Sequence, residues 1–175
     1  PGGDTQAADT TINGVTVGKG AGAVSTNTAV GLSALAAANG SSDANTAIGE
    51  YALSVNTSGT RNTAVGQRAM AFSNLTGSNN TAIGSLALFS NTTASYNTAV
   101  GYQAGYTNVT GANNVYVGGL AAYPATGDNN VAIGYYAGGE NNIGSSNVLI
   151  GNAAGQKSTG QSQTFVGQAA GYLVT

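Results

Sequence analysis

The sequence predicts an all-β protein: a parallel β-roll or β-solenoid of about ten rungs, with a repeat near 17 residues, covering 14–175 after an N-terminal linker or cap at 1–13. Three observations carry this expectation. A glycine preceded by Val or Ile returns at Gly18, Gly31, Gly49, Gly66, Gly84, Gly101, Gly118, Gly134, Gly151 and Gly167, at intervals of 13, 18, 17, 18, 17, 17, 16, 17 and 16. An alanine stands three residues after every one of them, from Ala21 and Ala34 to Ala154 and Ala170. An asparagine stands four residues before the glycine at Asn27, Asn45, Asn62, Asn80, Asn97, Asn114, Asn130 and Asn147, with Gln163 and Gly14 in the two outer copies.

Each rung is extended just before its glycine. In "NTAVG", Thr98 and Val100 share one face and Ala99 the other, as a period of two requires, and β-branched residues favour that conformation. The glycine then permits a positive φ or a close backbone approach at the bend. The second piece, "LSALAAA" at 32–38 or "QRAMAF" at 67–72, reads as a strand or irregular turn in preference to a helical turn. Stacking in a parallel ladder sets rungs about 4.8 Å apart and a ten-rung rod at roughly 45 to 50 Å. Val30, Ile48, Val65, Ile83 and their successors then form an apolar column, read together with the threonines as facing inward. The asparagines form a ladder beside it, with their amides bonding along the stack and holding register.

Large apolar side chains are scarce. The chain has three Phe, one Met and no Trp, 28 Gly and only two Pro. A coil that encloses one Val or Ile, a Thr and an Ala hides little area against an ordering cost of roughly 1 to 2 kcal/mol per residue. This predicts that two further copies press against the alanine column to make a parallel homotrimer, a dimer or end-to-end filament being the alternatives.

Charged residues make up 6% of the chain, and the net charge is −2. Lys19, Arg61, Arg68 and Lys157 are scattered, so no nucleic-acid footprint is expected. No apolar run reaches the length of a membrane span, so no membrane insertion by this segment is expected, and Pro1 suggests a processed or excised piece. With no Cys there is no disulfide framework.

With no His and no Cys, the usual general base and the thiol nucleophile are missing. The acids Asp4, Asp9, Asp43, Glu50, Asp128 and Glu140 hold no fixed repeat position. Neither a carboxylate pair nor a metal cage is indicated, and no enzyme, cofactor or metal is expected. The residues best suited to touch a ligand are Tyr102, Tyr106, Tyr123, Tyr135, Tyr136 and Tyr172, because they vary from rung to rung and aromatic rings stack on sugars or pack on protein. The competing reading is that they fill gaps between rungs or chains. Sequons stand at Asn39, Asn56, Asn74, Asn79, Asn91 and Asn108.

The phrases "NTAIG", "NVAIG" and "NVLIG" resemble the head repeats of trimeric autotransporter adhesins of the Yersinia adhesin type. The longer form, with "GYQAGY" and "TGANN", is similar to arrays in bacteriophage tail fibres. The resemblance covers about 14–175 and implies a trimeric left-handed β-roll, extracellular on a bacterial surface or a virion tail fibre, that attaches to a host cell-surface glycan or protein. The family's head repeat is near fourteen residues, matched here only by the first interval of 13, and its neck, stalk, anchor and self-cleaving chaperone segments are not seen. A purely structural spacer or filament subunit is the alternative. An ice-binding solenoid is a third, less favoured one, because the threonine column at Thr28, Thr46, Thr63, Thr81 and Thr98 is read as inward and gives way to Val115, Val131 and Val148.

Overall fold

The computed structural model describes residues 9–21, 24–72, 75–140 and 142–172. Among them are eleven short strands and no helix: β1 Thr10–Ile12, β2 Val15–Gly18, β3 Thr28–Val30, β4 Thr46–Ile48, β5 Thr63–Val65, β6 Thr81–Ile83, β7 Thr98–Val100, β8 Val115–Val117, β9 Val131–Ile133, β10 Val148–Ile150 and β11 Thr164–Val166. They form one sheet in sequence order. From β3 to β11 every pairing is parallel and in the register of the repeat, so that Thr63 lies beside Thr81, Ala64 beside Ala82 and Val65 beside Ile83. The chain is a β-solenoid of about eight turns.

The first of the ten copies is not a rung. β1 and β2 are an antiparallel hairpin closed by Asn13 and Gly14 with φ of 50° and 82°, and β2 meets β3 antiparallel. An Asn-Gly pair between two short β-branched runs favours this turn over a continued coil. Asp9 ties it down, its two carboxylate oxygens accepting the amides of Lys19 at 2.8 Å and Gly20 at 3.2 Å. Residues 1–8 of the predicted cap lie outside the described ones.

The inward and outward faces are the reverse of those expected. The strand-centre residues Ala47, Ala64, Ala82, Ala99, Tyr116, Ala132 and Leu149 are buried, while the flanking Thr and Val or Ile columns look outward, with Ile48 and Ile83 each 41% exposed. Alternation distinguishes two faces but does not say which is inside. The narrow lumen takes the small residues, and the β-branched pair covers a flat outer sheet. The alanine column is also inside: Ala52, Ala69, Ala87, Ala104, Ala121, Ala137 and Ala154 pack against the strand centres within a single chain. It is therefore not available as a surface for further copies. The core is richer than the count from one strand suggested, since the residue after each of these alanines, as in Leu35, Leu53, Met70 and Leu88, is fully buried as well.

The second piece of each rung is neither strand nor helix but a run of turns bonded from rung to rung. Tyr51 and Leu53 have φ of 58° and 49°, and their amides donate in opposite directions, to Leu32 O at 2.8 Å and Ala69 O at 3.0 Å. The recurring glycine enforces the corner. At Gly66 φ is 138°, and an added Cβ would lie 2.5 Å from the carbonyl oxygen of Gly84 in the next rung. Left-handed positions such as Tyr51 and Leu53 each cost about 1 to 2 kcal/mol, so the interstrand bonds and the burial have to offset that cost.

The asparagine ladder forms as expected and runs unbroken. Each buried side-chain oxygen accepts the backbone amide of the asparagine above it: Asn62 from Asn80, Asn80 from Asn97 and Asn97 from Asn114, all at 2.9 Å. Gln163 takes the last step by donating its amide to Asn147 Oδ1 at 2.9 Å. The amide nitrogens turn across the corner to loop carbonyls, Asn62 to Gly77 and Asn97 to Gly111, each at 2.8 Å.

Candidate functional site

Because the strand face and the loop corner are near-uniform, chemical variety is concentrated on the turn segment. The first and second residues after each repeat glycine from Gly31 to Gly151 reach the surface there, as does the fifth from Ala36 to Tyr123. The fifth position places Phe89, Tyr106 and Tyr123 in a stack with centroids 5.1 Å apart at each step and planes 14° and 15° apart. Phe72, six residues after Gly66, extends it with a ring 5.3 Å from Phe89 and tilted by 52°.

The six predicted tyrosines fall into three places. Tyr106 and Tyr123 lie in this half-exposed column. Tyr135 and Tyr136 are 5.6 Å apart and line a groove of about 300 Å³ with Glu140, Asn152, Ala153 and Gln156. Tyr172 lies 4.9 Å from the Lys157 ammonium, which is 3.8 Å from Glu140, so it joins the rim of that groove through two ionic neighbours. Tyr102 is more than half exposed and forms no ring pair among the described residues, the next rung carrying Gly119 at its position, over which Tyr135 leans.

Sequence reasoning missed a second groove of about 250 Å³, lined by Tyr51, Ser54, Arg68, Ala71, Phe72 and Phe89. The Arg68 guanidinium sits 5.6 Å from the centre of the Tyr51 ring. The offset from glycine was the available signal, since Phe89 holds the same place as Tyr106 and Tyr123. Among the described residues no group of three or more acidic, His or Cys side chains is arranged to hold a metal ion, and no helix is long and apolar enough to cross a membrane.

Of the six sequons, Asn56, Asn91 and Asn108 are buried in the solenoid, where they stand at one inner corner of their coils. Asn39 and Asn79 reach solvent, and Asn74 lies outside the described residues.

Among the described residues the one titratable group strongly perturbed by its surroundings is inside. Burial pushes the Tyr116 phenol far above its usual range, and the neighbouring Asn130 amide opposes this only weakly. The hydroxyl has no aligned hydrogen-bond partner.

No protein-family model, no curated protein and no solved structure matches the chain.

Proposed function

We propose that the chain is the shaft of an extracellular attachment fibre, on a bacterial surface or a virion tail, which engages a host cell-surface glycan or protein through the aromatic residues of its turn segment. The observation that carries this reading is the aromatic column Phe72, Phe89, Tyr106 and Tyr123, held in line on the outside of a repetitive scaffold with grooves beside it. A rung needs none of these rings outside its core, and a continuous half-exposed aromatic row suits apolar surfaces such as those of sugars.

The fibre is a homotrimer in this proposal, joined through the outward Thr and Val or Ile columns, since the alanine column is already closed within one chain. Ile48, Ile83, Ile133 and Val166 lie exposed on that flat face, and contiguous exposed apolar area marks an interaction surface. The decisive measurement is binding of the intact chain to cells and to a glycan array, beside the pair Tyr106→Ala and Tyr123→Ala and the pair Tyr135→Ala and Tyr136→Ala. A tenfold or larger loss in either pair supports attachment. Undiminished binding in both places the contact elsewhere on the shaft, and no binding by the unaltered chain favours the spacer reading. Light scattering gives the oligomeric state.

The same outward face favours a second reading. Thr28, Thr46, Thr63, Thr81 and Thr98 lie in register on the outer face, exposed or half-exposed, which removes the objection that this column faces inward. Ice binding needs such an array, and it competes with trimer formation for one surface. Thermal hysteresis from a monomeric chain would establish it; its absence would dismiss it.

A further inference from the structure

We propose that the groove between Tyr51, Arg68, Phe72 and Phe89 binds a carboxylate-bearing sugar of a cell-surface glycan, with Arg68 taking the carboxylate and the two phenyl rings taking an apolar face of the pyranose. The inference rests on the attachment reading and gives it a ligand class and a site.

Charge points to the acid. Arg68 is exposed and has no ion-pair partner among the described residues. Glu50, in the preceding rung, accepts a hydrogen bond from Gln67 Nε2 at 2.8 Å. The guanidinium lies 5.6 Å from the centre of the Tyr51 ring. Such a cation and ring attract each other, which limits the guanidinium's motion while leaving its planar fork open to a carboxylate. A bidentate pair of that kind is charge-assisted and directional.

Shape points to a sugar ring. Phe72 is 62% exposed and shares its groove with Phe89 and Tyr51, so it belongs to a contiguous aromatic patch rather than standing alone. Its tilt of 52° against Phe89 breaks the parallel stack that runs on through Tyr106 and Tyr123, so the two rings form an angled wall facing Arg68. The space of about 250 Å³ is at the small end for a ligand pocket, which suits one terminal sugar. The second groove has the opposite character. Glu140 lines it beside Tyr135 and Tyr136, so the chain's own carboxylate disfavours an acidic ligand there.

The experiment titrates the intact chain with sialyllactose and with lactose, and repeats both on Arg68→Gln and on the pair Tyr135→Ala and Tyr136→Ala. Arg68→Gln is a mild change, because the equivalent place two rungs on already carries Gln103 with φ of 54°. Expected is binding of sialyllactose at least tenfold tighter than of lactose, weakened by salt, reduced about tenfold or more by Arg68→Gln and unaltered by the tyrosine pair. Equal binding of the two sugars, or indifference to Arg68→Gln, overturns the site while leaving attachment through other residues intact. Adhesion to cells with neither sugar bound does the same. A chain that neither adheres nor binds a sugar overturns both this site and the attachment reading.

Discussion

The two halves of the solenoid fill the same lumen from opposite sides. From β3 to β6 the strand centre is always alanine, at Ala29, Ala47, Ala64 and Ala82, and the space is filled from the turn segment by Leu35, Leu53, Met70 and Leu88. At β8, β10 and β11 the strand centre is Tyr116, Leu149 and Phe165, and the turn segment supplies only Ala122, Gly155 and Gly171. The changeover is at β7, where Ala99 and Gly105 are both small. An added Cβ on Gly105 would lie 2.6 Å from Tyr116 Cδ2 and 3.0 Å from Leu88 Cδ2, so the large residues of the two adjoining rungs share that rung's space. The lumen is therefore kept filled along the stack while the segment that provides the volume is free to change, as close packing requires; at β9, where Ala132 and Gly138 are both small, Ile143 and Leu149 of the next strand fill it.

The largest expected effect comes from forcing one half into the other's pattern. At Gly155, with φ of 57°, an added Cβ would meet Leu149 Cδ2 at 2.6 Å. Gly155→Leu is expected to cost about 2 to 5 kcal/mol, the sum of overpacking and a left-handed side chain. Leu149→Ala alone leaves a cavity of similar cost, about 2 to 5 kcal/mol. Together the two substitutions rebuild the arrangement of Ala47 and Leu53, where a leucine already occupies φ of 49°. The double variant is expected to lie within about 1.5 kcal/mol of the unaltered chain in chemical denaturation. Costs that simply add would break the rule of conserved volume.

That compensation was partly legible. The sequence shows the fourth residue after the repeat glycine changing from Leu or Met at 35, 53, 70 and 88 to Gly or Ala from 105 onward, and the repeat, its register and the asparagine ladder followed from spacing alone. The reciprocal change at the strand centre goes unnoticed unless both positions are known to face one lumen. Periodicity pairs Thr98 with Val100 and sets both against Ala99, but the period is the same whichever face is buried. Choosing the bulkier face as inward misplaced both columns and, with them, the alanine surface assigned to partner chains. The hairpin at Asn13 and Gly14 was hidden for a different reason, because Gly18 satisfies the repeat while local turn chemistry reverses the chain direction. At the candidate site the tyrosines were legible as variable outward residues. The groove at Arg68 was not, since it needs Tyr51 and Phe89 from neighbouring rungs.

The asparagine ladder sharpens the comparison by being common to both halves. Asn62→Ala removes the acceptor for the Asn80 amide and the donor to Gly77 O, and Asn147→Ala does the same to Gln163 and Gly160. Each change strands a backbone amide, buried at Asn80 and part-buried at Gln163, and is expected to cost about 1 to 3 kcal/mol. Urea midpoints that fall alike for the two variants support a ladder independent of how the lumen is filled. A cost confined to one half would tie the ladder to core size.

The smallest effect tests a defect that one large strand-centre residue brings with it. Tyr116 brings a hydroxyl into the lumen with no aligned partner, a price that Leu53 and Met70 do not incur at the other end. Tyr116→Phe keeps the ring and removes the unpaired oxygen, so a gain of about 1 kcal/mol is expected at neutral pH. The pH dependence separates this from a packing effect. A tyrosine in the unfolded chain ionises near pH 10, whereas burial holds the folded one neutral well above that. Below about pH 10 both states keep the proton and stability is flat in this group. Above it the unfolded state alone releases the proton, and stability falls by about 1.4 kcal/mol per pH unit. Denaturation at about pH 9 and about pH 11 should therefore show the advantage of Tyr116→Phe growing with pH. An advantage that stays constant would place the phenol in contact with water, and the strand-filled half would then be less tightly closed than the leucine-filled one.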